Sequence, residues 1–415
     1  MSNNVQFLPE LLAPAGNFEK LKSALRFGAD AVYLAGKRFG MRAAADNFSL
    51  EELSEALNYC HRLGKKAYLT LNVMPHQGSL YELENYLNLL SELPLDGVIV
   101  ADLGVFTLCN KFLPNVPIHI STQAATVNSY SCMKWYEMGA KRIVLAREVS
   151  LQEISAIRSA ICDDLELEAF VHGSMCVSFS GRCMLSQYYT GRDANLGECT
   201  QPCRWQFQFS EVKREEDVLS CEIHPEGSYI FGSKDLCMID HISDLISAGI
   251  DSFKIEGRMK SAYYASVVTN AYRIAMECAK DGIEAPFHSL HQELNTVSHR
   301  EYCTGYFFDE PMKNAQFAEN CGYIGEKAYL AAVTEYDESR SAYRCVQKNK
   351  FSVDEECEYI TPGKTGNSLK VIKMLDEYGN EIFSCPHPQM QFYIQTDSKL
   401  KPGDLIRRKS IEIKL

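Results

Sequence analysis

Through the first two thirds of the chain, short apolar runs alternate with amphipathic stretches. The runs ELLAPA (10–15), AVYLAG (31–36), KAYLTLN (66–72), GVIVAD (97–102), PIHIST (117–122), RIVLARE (142–148), LELEAFVHG (165–173) and SFKIEGR (252–258) read as strands. Between them, FEKLKSALRFGA, SLEELSEALNYCHRLG, LYELENYLNLLSEL and SLQEISAIRSAI place apolar residues three and four apart, the spacing of one helix face. Asn17, Ser49 with Glu52, and Ser150 with Glu153 stand where helix N-caps belong, and Gly28, Gly139 and Gly249 where left-handed stops belong. Strand–helix alternation repeated eight times predicts an α/β fold, a TIM-like (β/α)8 barrel. A doubly wound open sheet is the competing architecture, but no G-x-G-x-x-G or phosphate loop follows any strand.

The regularity breaks twice. Between strand seven and the helix MIDHISDLISAGI lie roughly sixty residues, far more than an ordinary barrel loop. This insertion (174–238) follows a strand C-terminus and should therefore sit over the barrel mouth. After AYYASVVTNAYRIAMECAKDG the helical pattern ends. The expected organisation is a barrel over 1–284, a connecting segment over 285–322, and a small C-terminal antiparallel β-barrel over 323–415. In the last of these, runs such as KAYLAAVTEYD, LKVIKMLDEYG and QFYIQTD are separated by turn signals.

Four cysteines fall in the insertion, Cys176, Cys183, Cys199 and Cys203, spaced C-x6-C-x15-C-x3-C. Thiolates gathered in a Gly-rich polar stretch suit a soft metal or an iron–sulfur cluster. Zinc is the alternative, although structural zinc sites favour two tight pairs and only the second pair here is tight. Four unrelated buried cysteines are the bland account. The other twelve cysteines form no second array. No basic-then-apolar leader opens the chain and no apolar run reaches bilayer length, so a cytoplasmic, reducing setting without a membrane partner is expected. The formal net charge of -12 argues against binding polyanions over the whole surface, but a local basic groove remains compatible with it.

If the barrel is right, Asn72, Asp102, Gln123, Arg147, Glu148, His172, Lys254, Glu256 and Arg258 lie at or just past strand C-termini and crowd polar groups onto one rim. His172 is the leading candidate for chemistry, with Glu256 and Lys254 beside it as catalytic candidates. A histidine tethering a loop would look the same, and Lys254 and Glu256, on one face of a strand, could simply pair with each other. Arg182 and Arg204, next to ligand cysteines, join Asn72, Asp102, Gln123, Arg147 and Arg258 as candidate substrate contacts.

The run EAFVHGSMCVSFSGRCMLSQYYTGRDANLGECTQPCRW resembles the signature of the collagenase-like peptidase family of unknown catalytic type, number thirty-two. So do LLAPAGNFEKLKSALRFGADAVYLAG, SKDLCMIDHISDLISAGIDSFKIEGRMKS and the PGDLIRR ending, so that the resemblance spans nearly the whole chain. The length and C-terminal extension look most like the tRNA hydroxylation protein P branch. That resemblance implies oxygen-independent, prephenate-dependent hydroxylation of a wobble uridine to 5-hydroxyuridine in the tRNA anticodon loop. It also implies a 4Fe–4S cluster on the four cysteines, with Cys237 as a possible replacement for one, and a shorter paralogue as a possible partner subunit. The alternatives are a peptidase, a hydroxylase of another ring substrate such as ribosomal RNA or a quinone precursor, and a metal-stabilised RNA-binding factor. Against the peptidase, no H-E-x-x-H or G-x-S-x-G motif is present, and a nucleophilic cysteine should be solitary rather than one of four.

Overall fold

The computed structural model describes residues 8–42, 46–176, 178–179, 183–205, 233–308, 323–324 and 326–412. Its first part is a closed parallel barrel. Strands β1 (Glu10–Pro14), β2 (Ala31–Leu34), β3 (Lys66–Leu71), β4 (Gly97–Val100), β5 (Ile118–Ile120), β6 (Ala140–Val144) and β7 (Glu166–Ser174) pair in sequence order. After β8 (Asp235–Cys237), strand β9 (Ser252–Ile255) lies between β7 and β1 and completes the ring, with Glu10 in register with Ser252. All eight expected strands are present and parallel. The strands of this sheet that sequence did not anticipate are β8, which runs antiparallel to the end of β7 with His172 opposite Cys237, and β10 (Tyr302–Cys303) on its outer edge.

Helices α1 (Phe18–Arg26), α2 (Leu50–Arg62), α3 (Leu80–Leu90), α4 (Leu103–Phe112), α5 (Ser129–Glu137) and α6 (Leu151–Ser159) surround the strands, each burying its apolar stripe in one continuous core. Their ends form as the local sequence requires. The Asn17 side chain accepts from the Lys20 amide, and Ser49–Glu52 and Ser150–Glu153 are complete capping boxes. Gly28 (φ 107°) and Gly249 (φ 84°) take left-handed conformations directly after their helices. The insertion contributes α7 (Leu185–Thr190); α8 (Ile242–Ser247) follows it, and α9 (Ala262–Asp281) and α10 (Phe287–Leu294) close the barrel side.

The C-terminal part is an eight-stranded antiparallel sheet with a separate two-stranded ribbon, Phe351–Ser352 against Ser384–Cys385. In spatial order the sheet's strands are Asn367–Leu369, Cys357–Ile360, Leu405–Glu412, Glu326–Asp337, Ala342–Gln347, Gln391–Gln395, Lys373–Leu375 and Glu381–Ile382. Among the described residues its two edge strands do not pair with each other, so the expected small barrel is a curled half-barrel around its own core. It is locked to the first part. Ile360 and Leu405 enter the barrel-side core, and Tyr329 stacks on Tyr263 at 5.8 Å. Arg407, 1% exposed, donates to both carboxylate oxygens of Glu293 (2.8 and 2.9 Å) and to Glu358 (2.9 Å), and also reaches the Tyr263 hydroxyl. No helix among the described residues is long and apolar enough to cross a membrane.

Candidate functional site at the barrel mouth

The inside of the barrel is polar below its mouth. Glu168 is fully buried on β7 and accepts from Lys254 Nζ (2.8 Å), Arg142 (3.0 Å) and the Ser252 hydroxyl (3.0 Å). Burial alone would raise its carboxyl, but Lys254 and Arg142 outweigh that and hold it at about 2. Arg142 also binds Glu10 and Glu166, and Tyr68 donates to Glu10. Lys254 thus belongs to Glu168. The rim pair with Glu256 considered from sequence does not form, because a closer, fully desolvated carboxylate faces the ammonium.

Above this layer opens a cleft of about 700 Å³, counting its open mouth. Asn72, Gln123, Arg147, Lys254, Glu256 and Arg258 all line it, brought together from the C-terminal ends of four strands, β3, β5, β6 and β9, and Cys176 lines it from the insertion. Glu256 sits between Arg42 and Arg147, each at 3.8 Å, and receives a long contact from the Tyr33 hydroxyl (3.4 Å). Arg147 donates to the Ser174 carbonyl and lies 4.0 Å over the Phe170 ring. The Asn72 side-chain oxygen Oδ1 accepts from the Met41 amide and fixes the loop that carries Arg42. Arg258 is 3% exposed; its Nη1 donates to Thr70 Oγ1 (2.9 Å), while Nε and Nη2 are buried without a protein partner. Burial brings its guanidinium down to about 10. Among the described residues the cleft therefore presents more cation, with Arg42, Arg147, Lys254 and Arg258, than its one carboxylate, Glu256, balances.

Four sequence candidates lie elsewhere. Asp102 caps α4, accepting from the Val105 amide (3.0 Å). Glu148 is not among the cleft-lining side chains. His172 is 1% exposed, enclosed by the rings of Tyr264, Tyr272 and Tyr302 at 5.3–6.1 Å, with Nε2 buried and unpartnered. Burial lowers its imidazole to about 3, so it is neutral at physiological pH, and it does not line the cleft. Arg204 reaches the Tyr323 hydroxyl at 2.7 Å. Arg182 lies outside the described residues. The cleft also contains Tyr33, Met41, Arg42, Thr70, Ser121, Thr122, Ile99 and Phe170. Tyr33, Thr70, Ile99 and Phe170 were findable from strand alternation; Arg42 sits in a loop with no periodic signal.

The insertion packs directly on the rim. Gly197 lies so close to Gly40, Met41 and Arg42 that a Cβ would stand 2.9 Å from the Gly40 carbonyl, and the Met74 amide donates to the Asn195 carbonyl. Cys176, Cys183, Cys199 and Cys203 are all free thiols and exposed or half-buried. Burial pushes the Cys203 thiol up to about 11; Arg204 opposes this, and Cys176, Cys199 and Cys183 add to it, so the four lie within electrostatic reach of one another. The Gln201 amide donates to Cys199 Sγ (3.4 Å). Burial disfavours the charge on Arg42, yet Glu256, Cys176 and Cys199 together hold it above the ordinary guanidinium range. Cys237 is apart from this group. It is buried on β8 beside Tyr272, its thiol pushed up to about 12. Among the described residues no three His, Cys, Asp or Glu side chains stand together as a metal-ready set. The residue types nonetheless suit a thiolate-bound group: four free cysteines in one insertion, with the Arg42 guanidinium within electrostatic reach of Cys176 and Cys199.

The model of Peptidase family U32 matches residues 16–317, and that of its C-terminal domain residues 326–407. The tRNA hydroxylation protein P1 of Bacillus subtilis is 36% identical over 96% of this chain and 94% of its own length. The collagenase of Porphyromonas gingivalis is 29% identical over 96% and 97%. The 23S rRNA 5-hydroxycytidine C2501 synthase of Escherichia coli is 37% identical over 64% of this chain and 38% of its own. With both domain models matched in order and a full-length relative above 30% identity, the chain belongs to Peptidase family U32.

Proposed function

We propose that this chain is an RNA-modifying enzyme that hydroxylates the wobble uridine of tRNA to 5-hydroxyuridine. The carrying observation is the junction of a cationic, half-desolvated cleft with four free cysteines on one barrel rim. Two relatives are named for RNA hydroxylation, one of them for position 5 of a pyrimidine. On this reading Cys176, Cys183, Cys199 and Cys203 hold a 4Fe–4S cluster, which when bound supplies one-electron chemistry. The residues of the chain do the rest. An anticodon-loop base, already unpaired, enters the mouth at little cost. Asn72, Gln123, Ser121 and Thr122 offer the neutral donors and acceptors that a uracil edge needs. Arg258, with two unpartnered nitrogen atoms, and Arg147 attract an anionic co-substrate such as prephenate. Glu256, held between two guanidiniums, is the one cleft carboxylate positioned to accept a proton. His172 is assigned no proton transfer, since it is enclosed and neutral.

The test is mass spectrometry of tRNA nucleosides from cells with the gene intact, deleted, and restored as wild type or Cys176→Ala. Loss of 5-hydroxyuridine derivatives rescued only by wild type is the expected result. An unchanged profile, with substituting relatives also deleted, rejects it. A peptidase reading is favoured by the name of the Porphyromonas relative. Among the described residues no histidine lines the cleft, so none stands there to activate a nucleophile.

A further inference from the structure

The cysteine-bearing insertion carries three aromatic rings that are partly or largely exposed to solvent. Tyr188 is 81% exposed, Tyr189 42% and Trp205 41%. They are neighbours: Tyr188 and Tyr189 meet edge to face at 5.1 Å, and Tyr189 and Trp205 lie 6.2 Å apart. The helix bearing the tyrosines, α7, is held in place. Ser186 Oγ receives the Thr200 amide (3.1 Å), and the Thr190 hydroxyl donates to the Ser186 carbonyl (2.7 Å). Cations border the rings. Arg192 is exposed two residues beyond α7, and Arg204 precedes Trp205 and binds Tyr323, whose ring carries the Lys260 ammonium at 4.1 Å. The same insertion reaches the cleft through Cys176 and the Gly197–Gly40 contact.

Resting on the RNA reading above, we infer that Tyr188, Tyr189 and Trp205 form a stacking platform for the unpaired nucleotides that flank the base delivered to the cleft. Every base offers a π face, so such a surface grips a loop without reading its sequence, while the adjacent guanidiniums meet its phosphates. The platform sets the approach: the loop crosses the insertion before its target base descends into the barrel.

The chain has two tryptophans, and Trp135 packs on Phe106 (5.4 Å) away from the mouth, so Trp135→Phe leaves Trp205 as the sole indole reporter. The holoprotein is titrated with an anticodon stem–loop oligonucleotide and with a fully paired hairpin of the same stem. The expected result is quenching of Trp205 emission by the stem–loop and not by the hairpin. Tyr188→Ala and Trp205→Ala should each weaken stem–loop binding about five- to hundredfold. Tyr188→Phe should bind like wild type, with the visible absorbance of all variants unchanged. Tight stem–loop binding that neither quenches Trp205 nor responds to the alanine variants overturns the platform but leaves the RNA reading intact. Quenching by an unstructured peptide with no binding of the stem–loop overturns both.

Discussion

Arg258 has been taken out of water without receiving a carboxylate of its own. One nitrogen meets Thr70, two meet nothing, and burial lowers its affinity for the proton. Unsatisfied buried donors cost about 1–3 kcal/mol in native stability, and residues that violate packing rules concentrate where function requires them. Arg258→Met should therefore raise the unfolding free energy by about 1 kcal/mol while reducing turnover at least about tenfold. Urea midpoints alongside tRNA modification assays check both halves; a variant that is less stable and fully active contradicts the assignment. The residue type and the strand-end position of Arg258 were readable in advance. Its missing partners were not, since they depend on what Thr70 and Tyr33, almost two hundred residues and more away, leave unfilled.

Strand β7 shows how an element can redirect a side chain against its own pattern. Alternation places Glu168, Phe170 and His172 on one face. The first two do face the interior, but the β7–β9 register shifts between Phe170 and His172. Gly173 follows at φ 109°, so close to the Glu256 carbonyl that any Cβ would stand 2.5 Å from it. The irregularity sends His172 outward, among the tyrosines of α9 and β10. Sequence supplied the strand and its ends, but a register shift is set by neighbours and leaves no local mark. A neutral enclosed histidine has a consequence for acid stability. Unfolded, it binds a proton below about 6.5; folded, only near 3. Its stabilising contribution is complete above pH 6.5 and declines as pH falls towards 3, amounting to about 2 kcal/mol lost at pH 5. His172→Gln should flatten the fall in unfolding free energy between pH 7 and pH 5 by about that amount, as measured by urea titration; an unchanged slope sinks the account.

At the scale of the molecule, Arg407 ties the two parts together, bonding Glu293 on the barrel side and Glu358 in the C-terminal sheet. Removing one member of a buried charge pair typically costs about 3–5 kcal/mol, because the other is left uncompensated. Arg407→Ala strands Glu293 at the junction, whereas Glu358 keeps Lys327. It should split one calorimetric transition into two, the C-terminal sheet melting first; a single transition at the wild-type temperature would contradict this. The barrel was legible because each strand and helix carries its own period and caps, and those are local. The curled form of the C-terminal sheet and its docking were not, since they rest on pairings between distant strands such as Cys357–Ile360 and Leu405–Glu412.

The ring of strands closes only where Ser252 meets Glu10. On a ribosome adding about 5–20 residues per second, β1 emerges some ten to fifty seconds before its second neighbour exists. Until then β1 has β2 as its one possible neighbour, so any parallel sheet formed in that interval would carry β1 bare at one edge. Synthesis halted before β9 should leave an adhesive intermediate rather than a smaller barrel. The last strand to arrive thus shields the first from its neighbours in the cell.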